Sequence, residues 1–179
     1  MLRIIAGMRR GMRLKAPEGS DTRPTTDRVK ESVFNIIQFQ LPSICVLDLF
    51  AGSGALGIEA LSRGSGSCVF VEGSRQAAAL VSENIQSARF QDRAELLVSD
   101  AIAYLERCEK SFDLVFLDPP YNKGFLEPVI RMIHTRGLLA SGGLIVAETE
   151  KDGEIVPDTY YPIRKTAVYG KTVITVLQG

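Results

Sequence analysis

Histidine occurs once in this 179-residue chain, as His134. Any mechanism built on a histidine base or a histidine-rich metal site would hang on that single residue, and a lone histidine in a helical stretch reads as structure. Cysteine is also scarce. Cys45, Cys68 and Cys108 are odd in number and form no Cys-x-x-Cys pair. That spacing supports neither a disulfide framework nor a zinc site, and it leaves the thiols as small buried apolar groups. No apolar run is long enough to span a bilayer. The opening ten residues lack the apolar stretch of a secretory signal, so a cytoplasmic location is expected. Net charge is absent too, with 21 Lys and Arg against 21 Asp and Glu.

What is present is ordinary for a globular protein. Hydrophobic residues make up 45% and charged residues 23%, which excludes disorder and collagen-like character. A chain of this length buries roughly 70% of its unfolded surface and needs neither metal nor disulfide to be stable. The zero net charge hides an asymmetry. Residues 1–42 carry eight Lys and Arg against four acids, whereas 43–179 carry thirteen against seventeen. Arg3, Arg9, Arg10, Arg13 and Lys15 crowd the first sixteen residues with no acid among them. Such a block suits a polyanion, or equally an edge hairpin guarded against aggregation.

Residues 2–6 and 11–15 flank a glycine-bounded turn and predict a β-hairpin. Residues 16–24 read as a loop, and 25–40 as a helix closed by Pro42. Strands are expected at 44–50, 67–72, 94–98, 112–117 and 142–148, with helices near 54–63, 74–89, 100–109 and 124–136. The strand runs are almost continuously apolar, as strands covered on both faces are. The alternation predicts a doubly wound parallel sheet. Residues 160–168 and 171–177 flank Tyr169-Gly170 with no helix between, so the sheet should end in antiparallel pairing.

Four features carry chemistry. Asp48 precedes Gly52-x-Gly54-x-x-Gly57 at the junction of the first strand and a helix. The glycines satisfy a dinucleotide fingerprint, which is weak alone. A carboxylate beside that turn repels a pyrophosphate and welcomes a cation, such as the sulfonium and ammonium of S-adenosylmethionine. Glu72 at the next strand tip is placed to accept from ribose hydroxyls. Asp100 follows the third strand, either to meet an adenine amine or to cap a helix. Asp118-Pro119-Pro120-Tyr121 follows the fourth. Two prolines stiffen the segment and remove two backbone donors. Asp118 and the Pro119 carbonyl can each accept an N–H from an exocyclic amine, which localises the nitrogen lone pair, and Tyr121 can stack on the base.

Asp48-x-Phe50-x-Gly52-x-Gly54 followed by Asp118-Pro119-Pro120-Tyr121 resembles an S-adenosylmethionine-dependent amino-methyltransferase. Further blocks narrow the resemblance: Arg3 to Gly7, Leu14, Arg23 to Glu31, Phe34-Asn35 and Phe50 to Gly64. Together they resemble the bacterial RsmD family of 16S ribosomal RNA (guanine-N2)-methyltransferases over essentially the whole chain. The resemblance implies a Rossmann-like class I methyltransferase fold, a mostly parallel seven-stranded sheet with an antiparallel C-terminal hairpin. It divides the chain into an RNA-contacting extension at 1–42 and a methyltransferase domain at 43–179. It implies catalysis by Asp118, Pro119, Pro120 and Tyr121. The S-adenosyl-L-methionine site would comprise Asp48, Phe50, Gly52, Ser53, Gly54, Glu72, Asp100, Ala101 and Asp118. RNA contacts are expected from Arg3, Arg9, Arg10, Arg13, Lys15, Arg23, Thr25 and Arg28, with the basic hairpin beside the mouth of the site. The partner implied is 16S rRNA in the 30S subunit or an assembly intermediate, approached by a monomer, without metal or membrane.

Other readings stay open on the residues alone. Asp-Pro-Pro-Tyr serves adenine N6 as well as guanine N2, so a DNA adenine-N6 methyltransferase is the alternative. It would need a target-recognition segment for which the chain has no room. Asp48 and the second motif argue against a nucleotide-binding oxidoreductase, and the intact pair of motifs argues against a non-catalytic RNA-binding module.

Overall fold

The computed structural model describes residues 2–16, 27–120, 124–154 and 156–179. Its strands are β1 (Cys45–Asp48), β2 (Ser67–Glu72), β3 (Ala94–Val98), β4 (Phe112–Leu117), β5 (Leu139–Glu150), β6 (Ile163–Tyr169) and β7 (Thr172–Gln178). They form one sheet in the order β3-β2-β1-β4-β5-β7-β6. The first five run parallel, and β7 lies antiparallel between β5 and β6. The helices are α1 (Asp27–Ile37), α2 (Ala55–Ser62), α3 (Arg75–Ala88), α4 (Ala101–Arg107) and α5 (Leu126–Thr135).

Alternate residues of each central strand feed opposite cores. Val46, Leu114 and Phe116 face a cluster built with α1, α2 and α3. Leu47, Val115 and Leu117 face a second cluster built with α4 and α5. Burial on both faces explains why these runs are apolar without alternation. The Ser74 hydroxyl accepts from the Ala77 amide and starts α3. A 3-10 turn at Gln38–Gln40 finishes the first helical stretch just before Pro42. The strand β5 runs well beyond the predicted 142–148, because its far end pairs with β7 through Glu150↔Thr172.

The expected N-terminal hairpin forms around a 3-10 turn at Gly7–Arg9, with the bridge Arg3↔Arg13 and the Ile4 and Leu14 amides donating to the Met12 and Leu2 carbonyls, both at 2.9 Å. Past the bridge the Met12 amide turns to the Arg9 carbonyl at 3.1 Å, and the outer side of the hairpin docks on α2. The amides of Ile5 and Ala6 donate to the two carboxylate oxygens of Glu59 at 2.8 and 3.0 Å. The glycine at position 7 lets this segment lie flat on α2. A Cβ there would sit 1.9 Å from the Ser62 carbonyl oxygen. Leu2, Ile4, Leu14 and the apolar face of α1 share one cluster with the sheet, so residues 2–16 and 27–42 have no core of their own. Beneath them Lys30 and Glu59 pair at 3.3 Å with no exposed side-chain surface.

The thiols divide. Cys68 and Cys108 are buried, whereas Cys45 is exposed with its Sγ 3.3 Å from the Ser67 hydroxyl. His134 packs its ring against Tyr160 and Tyr161, with centroids 5.6 and 5.2 Å away. Among the described residues, no helix is long and apolar enough to cross a membrane.

Candidate active site

Parallel strands in register carry their C-terminal residues to one edge of the sheet. Leu47↔Val69, Val71↔Leu97, Leu47↔Val115 and Leu117↔Ala147 are Cα partners. The ends of β1, β2, β3 and β4 therefore bring Asp48, Glu72, Asp100 and Asp118 to a common rim, with Glu148 of the longer β5 level with the end of β4. In open α/β sheets this edge is where ligands bind.

Asp48 is buried, and its Oδ2 accepts the Gly57 amide at 3.0 Å. Burial pushes its carboxyl up to about 7; the Gly57 hydrogen bond opposes the shift and Glu72 adds to it. Glycine is required at 57 by space, since a Cβ would meet the Phe70 ring at 2.3 Å. The turn itself is held from below. Gly52 donates to Glu72 Oε2 at 2.8 Å, and the Ser53 carbonyl accepts from Asn84 Nδ2 at 2.9 Å. Glu72 also takes the Ser74 amide on Oε1 at 2.8 Å. It thus fastens the glycine turn to the next loop, a duty that the sequence pattern does not announce.

Asp100 Oδ1 accepts from Ile102 and Ala103 at 2.9 and 3.1 Å, capping α4 directly before Ala101. Beside it Val98 is 54% exposed, an apolar side chain left open at the β3 tip next to Glu72. Phe50 is half-buried and meets Phe125 at 5.7 Å between centroids, so the turn after β1 touches the start of α5. This rim offers acids toward a cation, acceptors toward hydroxyls, and an apolar floor. That donor set fits a ligand with an ammonium or sulfonium, a ribose and a flat base.

Asp118 is half-buried. Burial, Glu148 and Asp48, in that order, hold its carboxyl well above the ordinary range. Pro119 is buried, and Pro120 is exposed. Both line a cleft with Leu126, Glu148, Thr149, Glu150 and Glu154. Glu154 Oε1 accepts the Leu126 amide at 2.8 Å and closes one side of it. Tyr121, Arg23 and Thr25 lie outside the described residues, as does the loop around Pro24. Glu148 was not among the expected site residues. Its signal was the one that revealed Glu72, an acid closing an apolar strand run.

The basic residues separate. Arg9 donates from Nε to the Ala88 carbonyl at 2.8 Å, and its guanidinium lies over Phe90. Ala88 ends α3, whose 14 residues span about 21 Å from the Glu72 end. The hairpin tip is therefore at the far edge of the sheet, not beside the mouth as expected, because Glu59 and Ser62 draw it along α2. Its other end adjoins the glycine turn: the Lys15 amide donates to Asn84 Oδ1 at 2.8 Å, and Asn84 holds Ser53. Lys15 pairs with Glu83 at 2.6 Å and Arg3 with Asp27 at 2.7 Å. Arg10, Arg13 and Arg28 are exposed with no ion-pair partner among the described residues. Among the described residues, no group of His, Cys, Asp and Glu is arranged to hold a metal ion.

Known proteins resemble this chain along most of its length. The family model described as conserved hypothetical protein 95 matches residues 2–178. Ribosomal RNA small subunit methyltransferase D of Escherichia coli K12 is 38% identical over 149 residues, covering 83% of this chain and 75% of that protein. The solved structure of a hypothetical protein from Thermus thermophilus superposes with a TM-score of 0.84 at 30% identity and covers 100% of both chains. An RNA methyltransferase of Salinibacter ruber, solved with S-adenosyl-L-homocysteine, is 14% identical with a TM-score of 0.69, covering 87% of this chain and 93% of that one. At that identity the likeness is one of fold.

Proposed function

From the premise that the chain belongs to the RsmD family, which that family model describes, we propose that it methylates ribosomal RNA of the small subunit at the exocyclic N2 of a guanine. The fold is the Rossmann-like class I methyltransferase fold. The donor is S-adenosyl-L-methionine, which supplies an activated methyl group. Asp48 faces the cationic end of that ligand, Glu72 accepts from its ribose, and Val98 with Asp100 meets its base. Phe50, Gly52, Ser53 and Gly54 form the turn over which it lies, with Ala101 starting the next helix.

Asp118 and the Pro119 carbonyl hold the amine. Accepting its two N–H groups turns the nitrogen lone pair out of conjugation and aims it. Asp118 need not deprotonate the amine beforehand. Once methylated the nitrogen is acidic, and its surplus proton leaves toward Asp118 and solvent. Tyr121, adjoining Pro120 in sequence, is the stacking partner. The guanine must be unpaired to enter. Arg10, Arg13 and Arg28 are the exposed cations open to phosphates, Arg10 at a distance from the mouth of the site, and the reaction belongs to the cytoplasm, where ribosomes assemble.

The observation that carries this reading is the juxtaposition of Asp118-Pro119-Pro120 with the Asp48–Glu72 rim on neighbouring strands. Its test is transfer of a labelled methyl group to 16S rRNA and to 30S subunits from cells lacking the enzyme, followed by nucleoside analysis. N2-methylguanosine is the expected product. Unmethylated DNA is offered in a parallel reaction, where N6-methyldeoxyadenosine, with no product in the RNA, would favour the alternative.

A further inference from the structure

We propose that Glu148 is the residue that selects guanine, by accepting the N1–H of the base whose amine Asp118 holds. The inference rests on the function proposed above and adds what that function lacks, since an Asp-Pro-Pro-Tyr segment serves adenine as well. Leu117 and Ala147 are Cα partners, so Asp118, the first residue past the end of β4, follows directly beside Glu148 of the adjacent parallel β5. Their parity matches that of Phe116 and Val146, which places both on the α1 side of the sheet. Glu148 is only 6% exposed, yet it lines the cleft with Pro119 and Pro120. Its charge is felt at Asp118, whose carboxyl it helps to push up.

Two carboxylates held together away from water repel one another and want donors. Guanine presents two adjacent donors, N1–H and the N2 amine, along one edge. With Asp118 on the amine, the neighbouring carboxylate falls on N1. Adenine presents a lone pair at its N1, and facing that with a carboxylate sets acceptor against acceptor. A carboxylate has room for more than one hydrogen bond on each oxygen, so existing interactions of Glu148 do not prevent this one.

The test uses the full-length enzyme and a substrate RNA carrying guanine or 2-aminopurine at the target position. 2-Aminopurine keeps the exocyclic amine but has a bare N1. The wild type should lose at least about a hundredfold in kcat/KM on 2-aminopurine, as sites built around a hydrogen bond do when it is missing. Glu148→Gln should lose activity on guanine and narrow the guanine to 2-aminopurine ratio at least tenfold, since its amide can donate to a bare N1. Its affinity for S-adenosylhomocysteine should stay within a few-fold of wild type. Equal transfer to both bases by the wild type overturns the proposal without any variant. An unchanged ratio in Glu148→Gln overturns it as well. If the wild type transfers no methyl to guanine N2 at all, the proposed function fails and this inference falls with it.

Discussion

Asp48 answers to two partners, the Gly57 amide that it already holds and the cation it is proposed to face. Its carboxyl is pushed up to about 7. A cationic ligand stabilises the charged form, so below that pH binding must release a proton. Affinity for S-adenosylmethionine should therefore rise with pH up to about 7 and then level off. Titration calorimetry between pH 5 and 7.5 checks this, below the range of about 7.7–8.0 where an α-amino group loses its own proton. Asp48→Asn should flatten the profile and weaken binding roughly 10–100-fold. The same shift acts on the free protein. The folded chain keeps a proton that the unfolded chain releases near pH 4, so stability should fall as pH rises from about 4 to about 7. Asp118 is raised in the same sense and partly by Asp48, so the difference between wild type and Asp48→Asn in urea titrations reads Asp48 together with its effect on Asp118. At Asp118 the expected signature is kinetic. Asp118→Ala should keep cofactor affinity within a few-fold and lower kcat at least about a hundredfold, as loss of an acceptor aimed at the transition state does.

The N-terminal element is fastened by one carboxylate. Glu59 serves the Ile5 and Ala6 amides, Arg63 Nε at 2.8 Å and Lys30 Nζ, while Lys30 also donates to the Arg3 carbonyl. Burial outweighs the attraction of Glu59 and lowers the Lys30 ammonium from its usual range. Removing one member of such a buried pair strands the other, at about 3–5 kcal/mol. Glu59→Ala should show that loss in urea unfolding, and a Lys30→Met, Glu59→Leu double variant should recover part of it. The exposed cations of this element without an ion-pair partner among the described residues are Arg10, Arg13 and Arg28. Arg10→Ala with Arg13→Ala should weaken RNA binding, read by fluorescence anisotropy. The slope of log K against log salt should flatten by about 0.7–0.9 for each phosphate no longer neutralised. Cofactor affinity should not change. The bounds of β2, β3 and β4 were legible in the sequence because each apolar run ends where the sheet meets solvent. The hairpin was legible too, from the glycines that bound its turn. Its docking was not, since the Glu59 that holds it lies 53 residues away from Ala6 and no local pattern announces that.

At the scale of the whole molecule, the site was legible as a set of residues before it was legible as a place. The rim of Asp48, Glu72, Asp100 and Asp118 could be read because each acid ends an apolar run, and parallel register does the rest. The cap by Asp100 was one of the two readings its position allowed, whereas the hold of Glu72 on the Gly52 turn stayed hidden, and Glu148 joins Asp118 only once β5 lies beside β4. The position of the basic segment was hidden too, because charge counts carry no direction. One arrangement also bears on how the chain comes into being. Ile5 and Ala6 are held by Glu59 and the Lys15 amide by Asn84, so this segment can dock only after α2 and α3 have been made. At roughly 5–20 residues per second, that is a wait of seconds with Leu2 and Ile4 uncovered. A chain halted before α3 leaves those apolar side chains unsheltered, so such copies should be cleared by proteases rather than persist.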